Sequence, residues 1–424
     1  MVRIFAGFLG GVVVGVAAVW LFSLREAQAP PTPASGNLEQ SLDGLAASIV
    51  DAGAFVRQHP WFGSEQEQTE AYQHILRLLV NGLEGNALSD PDFPFFQEIN
   101  TRTKAGMDNS DQRYLIARLD GDAVYRVWGS RGSSRRLDFT VYGEDDMAPS
   151  ISWATTEDLE VSLDGTFELF VGGAKREGNW LASEPGTVRL LIRQIHADWP
   201  VESPGDIHID RVDDGRPDYP VLDPATLAAR IDATSQSLAR AVRRWPELGR
   251  SRLAAFLPAN SLTPPRDTGM EGGLSGRLMV GGHWELSDDE ALIVTTWPSA
   301  ARYQGIQLGN HWWQSLDYAN RQSSLTTDQA RLSSDGAYHF VLSARDPGVP
   351  NWLDTEGLPR GIIMMRYDGL QDAELPEEEH PTAEVVSFDE VIEHLPADEP
   401  RIDAAARAAQ IAARREHVQK RFHY

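Results

Sequence analysis

The sequence predicts a mainly β protein with helical additions, an α+β chain in which two similar antiparallel β-sandwich or jelly-roll modules follow one N-terminal transmembrane helix. Three observations predict this: an uncharged apolar run near the N-terminus, stretches in which apolar and polar residues alternate, and an ordered set of motifs that occurs twice. Alternation with a period of two is typical of strands, and apolar residues every three or four positions indicate helices. The 424 residues are enough for two or three domains.

The apolar run at residues 4–24 carries no charged side chain. As a helix it would be roughly 30 Å long, which is the thickness of a bilayer core. A cleaved signal peptide is the alternative, because Ala27-Gln28-Ala29 has the small-x-small pattern of a cleavage site. The length of the run and Pro30 directly after that pattern favour an uncleaved signal anchor. Arg3 gives a slight positive-inside bias, so we expect a single-pass protein of the cell membrane with its body on the extracytoplasmic, periplasmic side.

A stripe of small residues runs along the predicted anchor, where Gly7, Gly11 and Gly15 lie four residues apart. Small residues at this spacing let two membrane helices approach closely. The stripe therefore permits a homodimer, and the alternative is the ordinary glycine content of a membrane helix. The proline-rich residues 29–36 that follow predict an extended stalk.

The rest of the chain alternates between helical and strand-like patterns. The strongest hairpin signal is Asp120-Gly121 between two alternating runs. The predicted organisation is anchor and stalk at 1–36, a helical segment at 37–112, a first β module at 113–222, a helical connector at 223–275, a second β module at 276–368, and an acidic linker with a basic C-terminal helix at 369–424.

The two predicted β modules carry the same motifs in the same order. Each has an Asp-Gly turn before an aromatic strand, then a loop ending in Asn-Trp-Leu, then an apolar strand that closes on an arginine. These features stand at 164–165 and 335–336, at 179–181 and 351–353, and at Arg193 and Arg366. Matching offsets are the mark of an internal duplication, so we expect the modules to align strand for strand, with Trp180 and Trp352 in equivalent places.

The same stretches resemble a known family, the domain of unknown function 1214 family. The motifs that carry the resemblance are Gly178-Asn179-Trp180-Leu181, Gln307-Leu-Gly-Asn-His-Trp312 and Asp346-Pro-Gly-Val-Pro-Asn-Trp-Leu353, and the resemblance covers most of residues 110–370. It implies a β-rich body with helical additions behind an N-terminal apolar segment, and it implies no catalytic residues. Ala182-Ser183 departs from the family, where a proline is common after the first Asn-Trp-Leu.

Composition excludes several classes of function. A formal net charge of −24 repels phosphate backbones, so we expect no nucleic-acid partner. The absence of cysteine from the sequence excludes disulfides, thiol nucleophiles and thiolate metal sites. We find no phosphate-binding or nucleophile-elbow motif and expect no metal and no cofactor. The run Asp288-Asp289-Glu290 is interpreted as a turn.

The segment 302–321 and the loop 345–352 combine large rings with donors and acceptors, as ligand pockets do. A buried strand edge, with polar groups that serve turns and caps, is the alternative interpretation. The candidate ligand-binding residues are Arg302, Tyr303, Asn310, Trp312, Trp313, Tyr318, Arg321, Asn351 and Trp352. For catalysis, His311 is the candidate general acid or base because histidine titrates near neutrality, with Asp346 or Asp317 to orient it and Arg345 to hold an anion.

Three functions remain open from the sequence. The first is a membrane-anchored extracytoplasmic protein that binds an apolar, aromatic or glycan-like ligand. The second is a cofactor-independent hydrolase or lyase that uses His311 with a carboxylate, and the third is a structural envelope protein. A pocket of Trp and Tyr would favour binding, whereas His311, Asp346 and Arg345 converging in one pocket would favour an enzyme.

The C-terminal residues 403–422 are rich in alanine and arginine, which predicts a helix. We expect this helix to dock on the acidic body by charge, with Val418 and Phe422 as apolar contacts. A solvated, fraying helix is the alternative. His417 and His423 are expected to be solvated on it.

Overall fold

The computed structural model describes residues 37–144, 148–220, 222–269, 276–370 and 374–423. The predicted anchor, its glycine stripe and the stalk therefore lie outside the described residues. Across the described ranges, the helices are all too short or too polar to cross a bilayer.

Within the described residues, four α-helices form beside the strands. They are α1 (Leu38–Gln58), α2 (Glu65–Gly82), α3 (Pro224–Gly249) and α4 (Ala404–Arg421), and π-helical turns at Leu83–Ala87 and Arg250–Ala254 continue α2 and α3. Side-chain caps set where they begin: Ser64 and Glu67 form a capping box on α2. The Asp223 carboxylate caps α3 ahead of Pro224, a residue that suits the first helical turn.

The first β module contains nine strands in two sheets. They are β1 (Gln97–Ile99), β2 (Gln112–Asp120), β3 (Tyr125–Ser130), β4 (Arg136–Tyr142), β5 (Ser152–Thr155), β6 (Thr166–Val171), β7 (Trp180–Leu181), β8 (Thr187–Ile195) and β9 (Ile207–Arg211). The larger sheet has the order β1-β2-β8-β4-β5 and the smaller has the order β7-β6-β3-β9. Their facing sides share one apolar core that includes Leu115, Val127, Phe139, Leu169 and Ile192.

The second β module also has two sheets. Its strands are β10 (Ser261–Leu262), β11 (Arg266–Asp267), β12 (Arg277–Glu285), β13 (Glu290–Thr296), β14 (Tyr303–Asn310), β15 (Gln314–Ser315), β16 (Ser324–Thr326), β17 (Tyr338–Ser343), β18 (Trp352–Asp354), β19 (Arg360–Asp368) and β20 (Thr382–Ser387). The larger sheet runs β10-β12-β19-β14-β15, with β11 on β12 and β16 on β14, and the smaller runs β18-β17-β13-β20. The two sheets enclose a second apolar core, which contains Val280, Val294, Phe340 and Ile363.

The strand pairing of the first module repeats in the second. The order β2-β8-β4-β5 corresponds to β12-β19-β14-β16, and β7-β6-β3-β9 corresponds to β18-β17-β13-β20. Pairing is antiparallel except for one short parallel pair in each module, β6 with β7 and β17 with β18. The expected alignment strand for strand is therefore confirmed.

The Asn-Trp-Leu motifs form the same local structure in both modules. The Trp180 indole Nε1 donates to the Gly172 carbonyl at 3.0 Å, and the Trp352 Nε1 donates to the Ser343 carbonyl at 3.1 Å. The preceding asparagine in each copy uses its amide to pair with one backbone segment: Asn351 bonds both the N–H and the C=O of Arg331. Asn179 does the same with Glu160.

Several elements extend beyond the predicted boundaries. Strand β1 lies within the predicted helical segment and joins the first module's larger sheet. Strands β10 and β11 lie within the predicted helical connector and pair with β12. Strand β20 lies in the acidic stretch predicted to be a linker, and it pairs with β13 over six residue pairs. The period-two alternation in the sequence did not predict these strands. They are short edge strands, which depend on a neighbouring strand for their hydrogen bonds.

Helix α4 packs between the modules, and the charge-docking expectation needs correction. Val418 and Phe422 are buried against Trp199 and Tyr318, as predicted. The arginines, however, bind mainly neutral acceptors in the interior: Arg414 donates to the Tyr318 carbonyl at 3.1 Å, and Arg421 donates to the Ser110 carbonyl.

The alternative prediction of a solvated, fraying helix is therefore wrong. The predicted exposure of one of its two histidines is wrong as well. His417 is buried, its ring stacks on Trp199 at 5.0 Å, and its Nδ1 contacts the Trp199 carbonyl at 2.6 Å. His423, which lies just beyond the end of α4, is exposed as expected. Sequence could not separate the two because the difference depends on which face of the helix meets Trp199.

Candidate functional site

The three residues expected to form a catalytic group have separate environments. Asp346 accepts hydrogen bonds from the Arg407 guanidinium on α4, with an Nε–Oδ2 distance of 2.9 Å. The Arg345 guanidinium lies over the Phe388 ring at 3.9 Å. His311 stacks on Trp61, with ring centroids 3.9 Å apart and planes 9° from parallel. The structure does not join these three side chains into one site.

His311 is a buried ring rather than a proton shuttle. Neither ring nitrogen has a hydrogen-bond partner among the described residues. Burial is the main cause that lowers its pKa to about 3, and the nearby Arg360 charge lowers it further. A neutral imidazole without a partner for either nitrogen has no route for passing a proton to a substrate.

Most of the nine candidate ligand-binding residues have structural roles. Arg302 pairs with Glu157, and Arg321 pairs with Asp354. The Asn310 side-chain oxygen Oδ1 accepts from the backbone N–H groups of Trp312 and Gln314, which fixes a turn. The strand-edge alternative therefore describes this segment better than a pocket does.

The aromatic candidates are mostly core. The Tyr303 hydroxyl donates to the Asp111 carboxylate at 2.7 Å, Trp312 donates to the Glu67 carbonyl at 3.2 Å, and Tyr318 packs in the cluster with Trp199. Asn351 and Trp352 form the repeated turn described above. Trp313 alone among the nine candidates lines the large cavity between the modules.

That cavity has a volume of about 530 Å³ and lies between the outer faces of the two larger sheets. Alternation along each strand explains this placement. On β2, residues 115, 117 and 119 enter the first module's core, so Tyr114, Ile116 and Arg118 point the other way and line the cavity. The same holds on β12, where Leu278 and Val280 enter the second core while Met279 lines the cavity.

Helices α2 and α3 form a further side of the cavity, which stays partly open to solvent. Leu78 and Asn81 of α2 line it, as do Ala241 and Trp245 of α3. The size is within the range of about 300–1,000 Å³ that is usual for small-molecule pockets.

One wall of the cavity is apolar. Met107, Leu248, Leu253, Trp313 and Met364 form a cluster, with Trp245 and Met279 packed against it. Methionine side chains are flexible and polarisable, so such a wall adapts to apolar ligands of irregular shape.

The backbone of this wall is unusual at two positions. Met107 has φ 55 and Trp313 has φ 62, both in the left-handed region that non-glycine residues seldom adopt. The Met107 N–H donates to the Trp313 carbonyl at 2.7 Å, which joins the two residues. Such conformations cost energy and are concentrated at binding and catalytic sites.

The lining of the cavity is also rich in arginine, on both larger sheets and on α3. Eight arginines line the cavity against three described carboxylates, Glu84, Asp108 and Glu144. The whole chain has the opposite balance, with a net charge of −24. Arg193 and Arg366 are buried in this lining, and Tyr114 of β2 is the cross-strand partner of Arg193. The cavity therefore concentrates positive charge inside an acidic protein.

A metal is a poor fit to the described part of the chain, in which no group of three or more His, Asp or Glu side chains is placed to hold one. The described cavity lining also contains no histidine.

Sequence reasoning missed the cavity although one signal pointed to it. Arg193 and Arg366 were noted as the ends of repeated strands, yet their side chains alternate with apolar core residues on strands that are otherwise buried. An arginine at such a position must face something other than solvent, and only the tertiary structure shows that this is the other module.

Comparison with solved structures supports the fold. The chain is similar to an uncharacterised protein from Burkholderia cenocepacia, with a TM-score of 0.75 and 27% identity over 82% of this chain and 97% of that chain. The VPA0106 protein from Vibrio parahaemolyticus gives a TM-score of 0.44 and 13% identity over 80% of this chain and 100% of that chain. No protein-family model matches the chain. No curated protein matches it either.

Proposed function

We propose that this protein binds a small apolar or amphipathic molecule in the cavity between its two β modules. The observation that carries the proposal is the cavity itself: about 530 Å³, bounded by both larger sheets and by α2 and α3, with an apolar wall of Met, Leu and Trp side chains. A closed site with apolar walls and a few polar groups is the usual form of a ligand pocket. The left-handed backbone at Met107 and Trp313 adds support.

The proposal also covers the membrane location of the protein and its resemblance to a known family, both of which the sequence indicates. We propose that residues 4–24 anchor the protein in a membrane with the body on the extracytoplasmic side, and that each module is a two-sheet β-sandwich. The resemblance to the domain of unknown function 1214 family remains part of the proposal, supported by the identical turns that its Asn-Trp-Leu motifs form.

Binding is favoured over the catalytic alternative by the state of His311. Its stacked ring lies outside the described cavity lining, and its burial keeps it neutral. Asp346 is already engaged by Arg407. No observation specifically favours a structural envelope role.

A matched pair of substitutions on α3 tests the proposal. Ala241 lines the cavity, whereas Ala229 is exposed on the same helix. The full-length protein in lipid nanodiscs is titrated with 4-phenylbutan-1-ol and with 4-phenylbutanoate by calorimetry, with empty nanodiscs as the blank. Ala241→Trp fills the cavity and should weaken binding of both compounds by about tenfold or more, whereas Ala229→Trp should not.

Two results would overturn the proposal: absence of saturable binding of either compound to the wild-type protein, or equal affinities in the wild-type and Ala241→Trp proteins. Mass spectrometry of small molecules extracted from both proteins gives a second readout. A compound retained by the wild-type and Ala229→Trp proteins but lost from Ala241→Trp would identify the natural ligand.

A further inference from the structure

We infer that Arg193 and Arg366 together hold an anionic group of the ligand, so that the ligand is an organic anion with an apolar body. The shared chemistry is a carboxylate or a phosphate ester, each of which accepts paired N–H donors from guanidinium groups. This inference rests on the proposed function, because it assigns the chemistry of the same cavity.

The two arginines occupy equivalent positions in the duplicated modules. Arg193 is the seventh residue of β8, and Arg366 is the seventh residue of β19. Arg193 is paired across the sheet with Tyr114 of β2, and Arg366 is paired with Met279 of β12. Because the outer faces of these sheets both line the cavity, the duplication brings one arginine to it from each module.

Both side chains are buried yet keep donors to spare. The Arg366 guanidinium makes one hydrogen bond to a described residue, from Nη2 to the Met107 carbonyl at 2.7 Å. Arg193 donates to the hydroxyl oxygens of Thr140 and Tyr142, both at 3.1 Å. A guanidinium has five N–H donors, so most of the donors of this pair are left for a ligand.

The Tyr114 hydroxyl adds a further hydrogen-bond donor beside Arg193. Its hydroxyl oxygen accepts from the Asn109 backbone N–H at 3.0 Å, and its hydroxyl hydrogen has no acceptor among the described residues. Tyr114 is the cross-strand partner of Arg193, and the charges of Arg366, Arg193 and Arg277 all act on its hydroxyl.

Neither guanidinium of this pair forms an ion pair with a carboxylate of the described residues. The neighbouring Arg277 shows the contrast, because it forms a two-pronged ion pair with Asp368 at 2.5 and 2.6 Å. The nearest carboxylates act on the pair without forming ion pairs with it. Asp138 lies opposite Arg193 across the sheet and 3.1 Å from Arg136. Asp111 accepts from the Tyr303 hydroxyl and the Trp199 indole. Buried charge without a partner is costly, and a bound anion would supply the partner.

The apolar wall begins beside the same arginines. Met364 lies two residues before Arg366 on the same face of β19, and Met279 is the cross-strand partner of Arg366. Both methionines belong to the apolar cluster with Trp313 and Leu253. A ligand with its anionic group at Arg193 and Arg366 would therefore lay its apolar body along this wall.

The test compares ligands that differ only in charge. The full-length protein in nanodiscs is titrated with 4-phenylbutan-1-ol, 4-phenylbutanoate and 4-phenylbutyl phosphate at pH 7.5. We expect at least one of the two anions to bind about tenfold or more tightly than the alcohol, and the tighter anion distinguishes carboxylate from phosphate. In Arg366→Gln and Arg193→Gln this preference should fall about tenfold, with the alcohol affinity unchanged. Arg126→Gln, which removes an arginine paired with Glu168 away from the cavity, should keep the wild-type preference.

Each outcome separates the inference from the proposed function. If the alcohol binds the wild-type protein as tightly as both anions, and Ala241→Trp blocks all three, the arginine site is wrong and the cavity proposal stands. If none of the three binds, the cavity proposal itself fails. Should the arginine variants not fold, the wild-type comparison of anion with alcohol still decides, and Arg366→Lys, which keeps the charge, provides a second variant.

Discussion

At the residue scale, the least expected feature is a group of histidines kept neutral by the fold. His59, His74 and His311 lie around Trp61 and Trp312, with ring centroids between 3.9 and 6.0 Å apart. Burial is the main cause that lowers the pKa of His59 to about 4 and of His74 and His311 to about 3. The sequence suggested catalysis at His311, whereas the structure uses the ring as a flat apolar surface.

These rings make stability depend on pH. In the unfolded chain a histidine binds a proton below its ordinary pKa of about 6.5, but the folded rings stay neutral until pH 4 or lower. The unfolded state therefore binds more protons in this window, so stability is full above pH 6.5 and falls as the pH decreases. Each such group contributes at most about 1.4 kcal/mol per pH unit.

We predict that His311→Phe, which keeps a ring on Trp61, reduces this acid sensitivity. Urea unfolding at pH 7.5 and pH 5.5 should show a difference in unfolding free energy about 1 kcal/mol smaller than in the wild-type protein. His423→Phe, which changes an exposed ring, is the control and should leave the difference as it is. An unchanged difference in His311→Phe would mean that this histidine is protonated in the folded state at pH 5.5.

At the element scale, α4 acts as a strap between the modules. Its Arg414 and Arg421 guanidiniums lie 4.4 and 4.5 Å from the Trp199 ring, and Arg421 reaches the Ser110 carbonyl of the first module. Arg414 also donates to Ser324 of the second module. The ion pair of Arg407 with Asp346 is the contact closest to the charge docking that the sequence suggested.

Deletion of residues 401–424 should lower the melting temperature by several degrees, and by nearly the same amount at low and high ionic strength. Salt screens exposed charges but has little effect on buried guanidinium–carbonyl bonds and apolar contacts. Differential scanning calorimetry in about 20 mM and about 500 mM NaCl measures this. Lys420→Met, which removes an exposed pair with Glu416, should have little effect. A decrease in melting temperature that is seen only at low salt would instead support docking of the helix by surface charge.

At the scale of the whole molecule, the cavity depends on how the modules meet. Their larger sheets face each other, and three side-chain contacts join the two modules. They are Tyr303 with Asp111, Arg277 with Asp138 at 3.8 Å, and Arg135 with Asp328 at 2.6 Å. A ligand that bridges Arg193 and Arg366 would add to these contacts, because binding to the folded state alone stabilises it.

Removal of residues 1–36 should leave a protein that stays in the supernatant after a salt wash of the cell membranes, whereas the full-length protein should stay with the membranes. The reason is that the apolar run at 4–24 is the predicted anchor, and the described remainder has no helix able to span a bilayer. Immunoblots of the two fractions measure it. Membrane retention of the truncated protein would contradict attachment through this run alone.

The sequence by itself determined the elements and their duplication. Period-two alternation predicts strands because it reflects a pleated backbone with one face in a core, and it correctly indicated β2, β3 and β8. The order of the Asp-Gly, Asn-Trp-Leu and arginine motifs predicted equivalent turns, and Asn179 and Asn351 form them through bonds to segments only about twenty residues away. Short-range geometry of this kind is encoded locally.

Only the tertiary structure decided what lies against the outer faces of the two larger sheets. The sequence suggested that His311 and Asp346 are partners, because both lie in polar, aromatic stretches. In the structure, His311 contacts Trp61 from the loop before α2, and Asp346 contacts Arg407 from α4. Arg193 and Arg366 are 173 positions apart in the chain and belong to different modules. They line one cavity because two sheets pack face to face, and alternation states which face of a strand a residue occupies without stating what lies opposite that face.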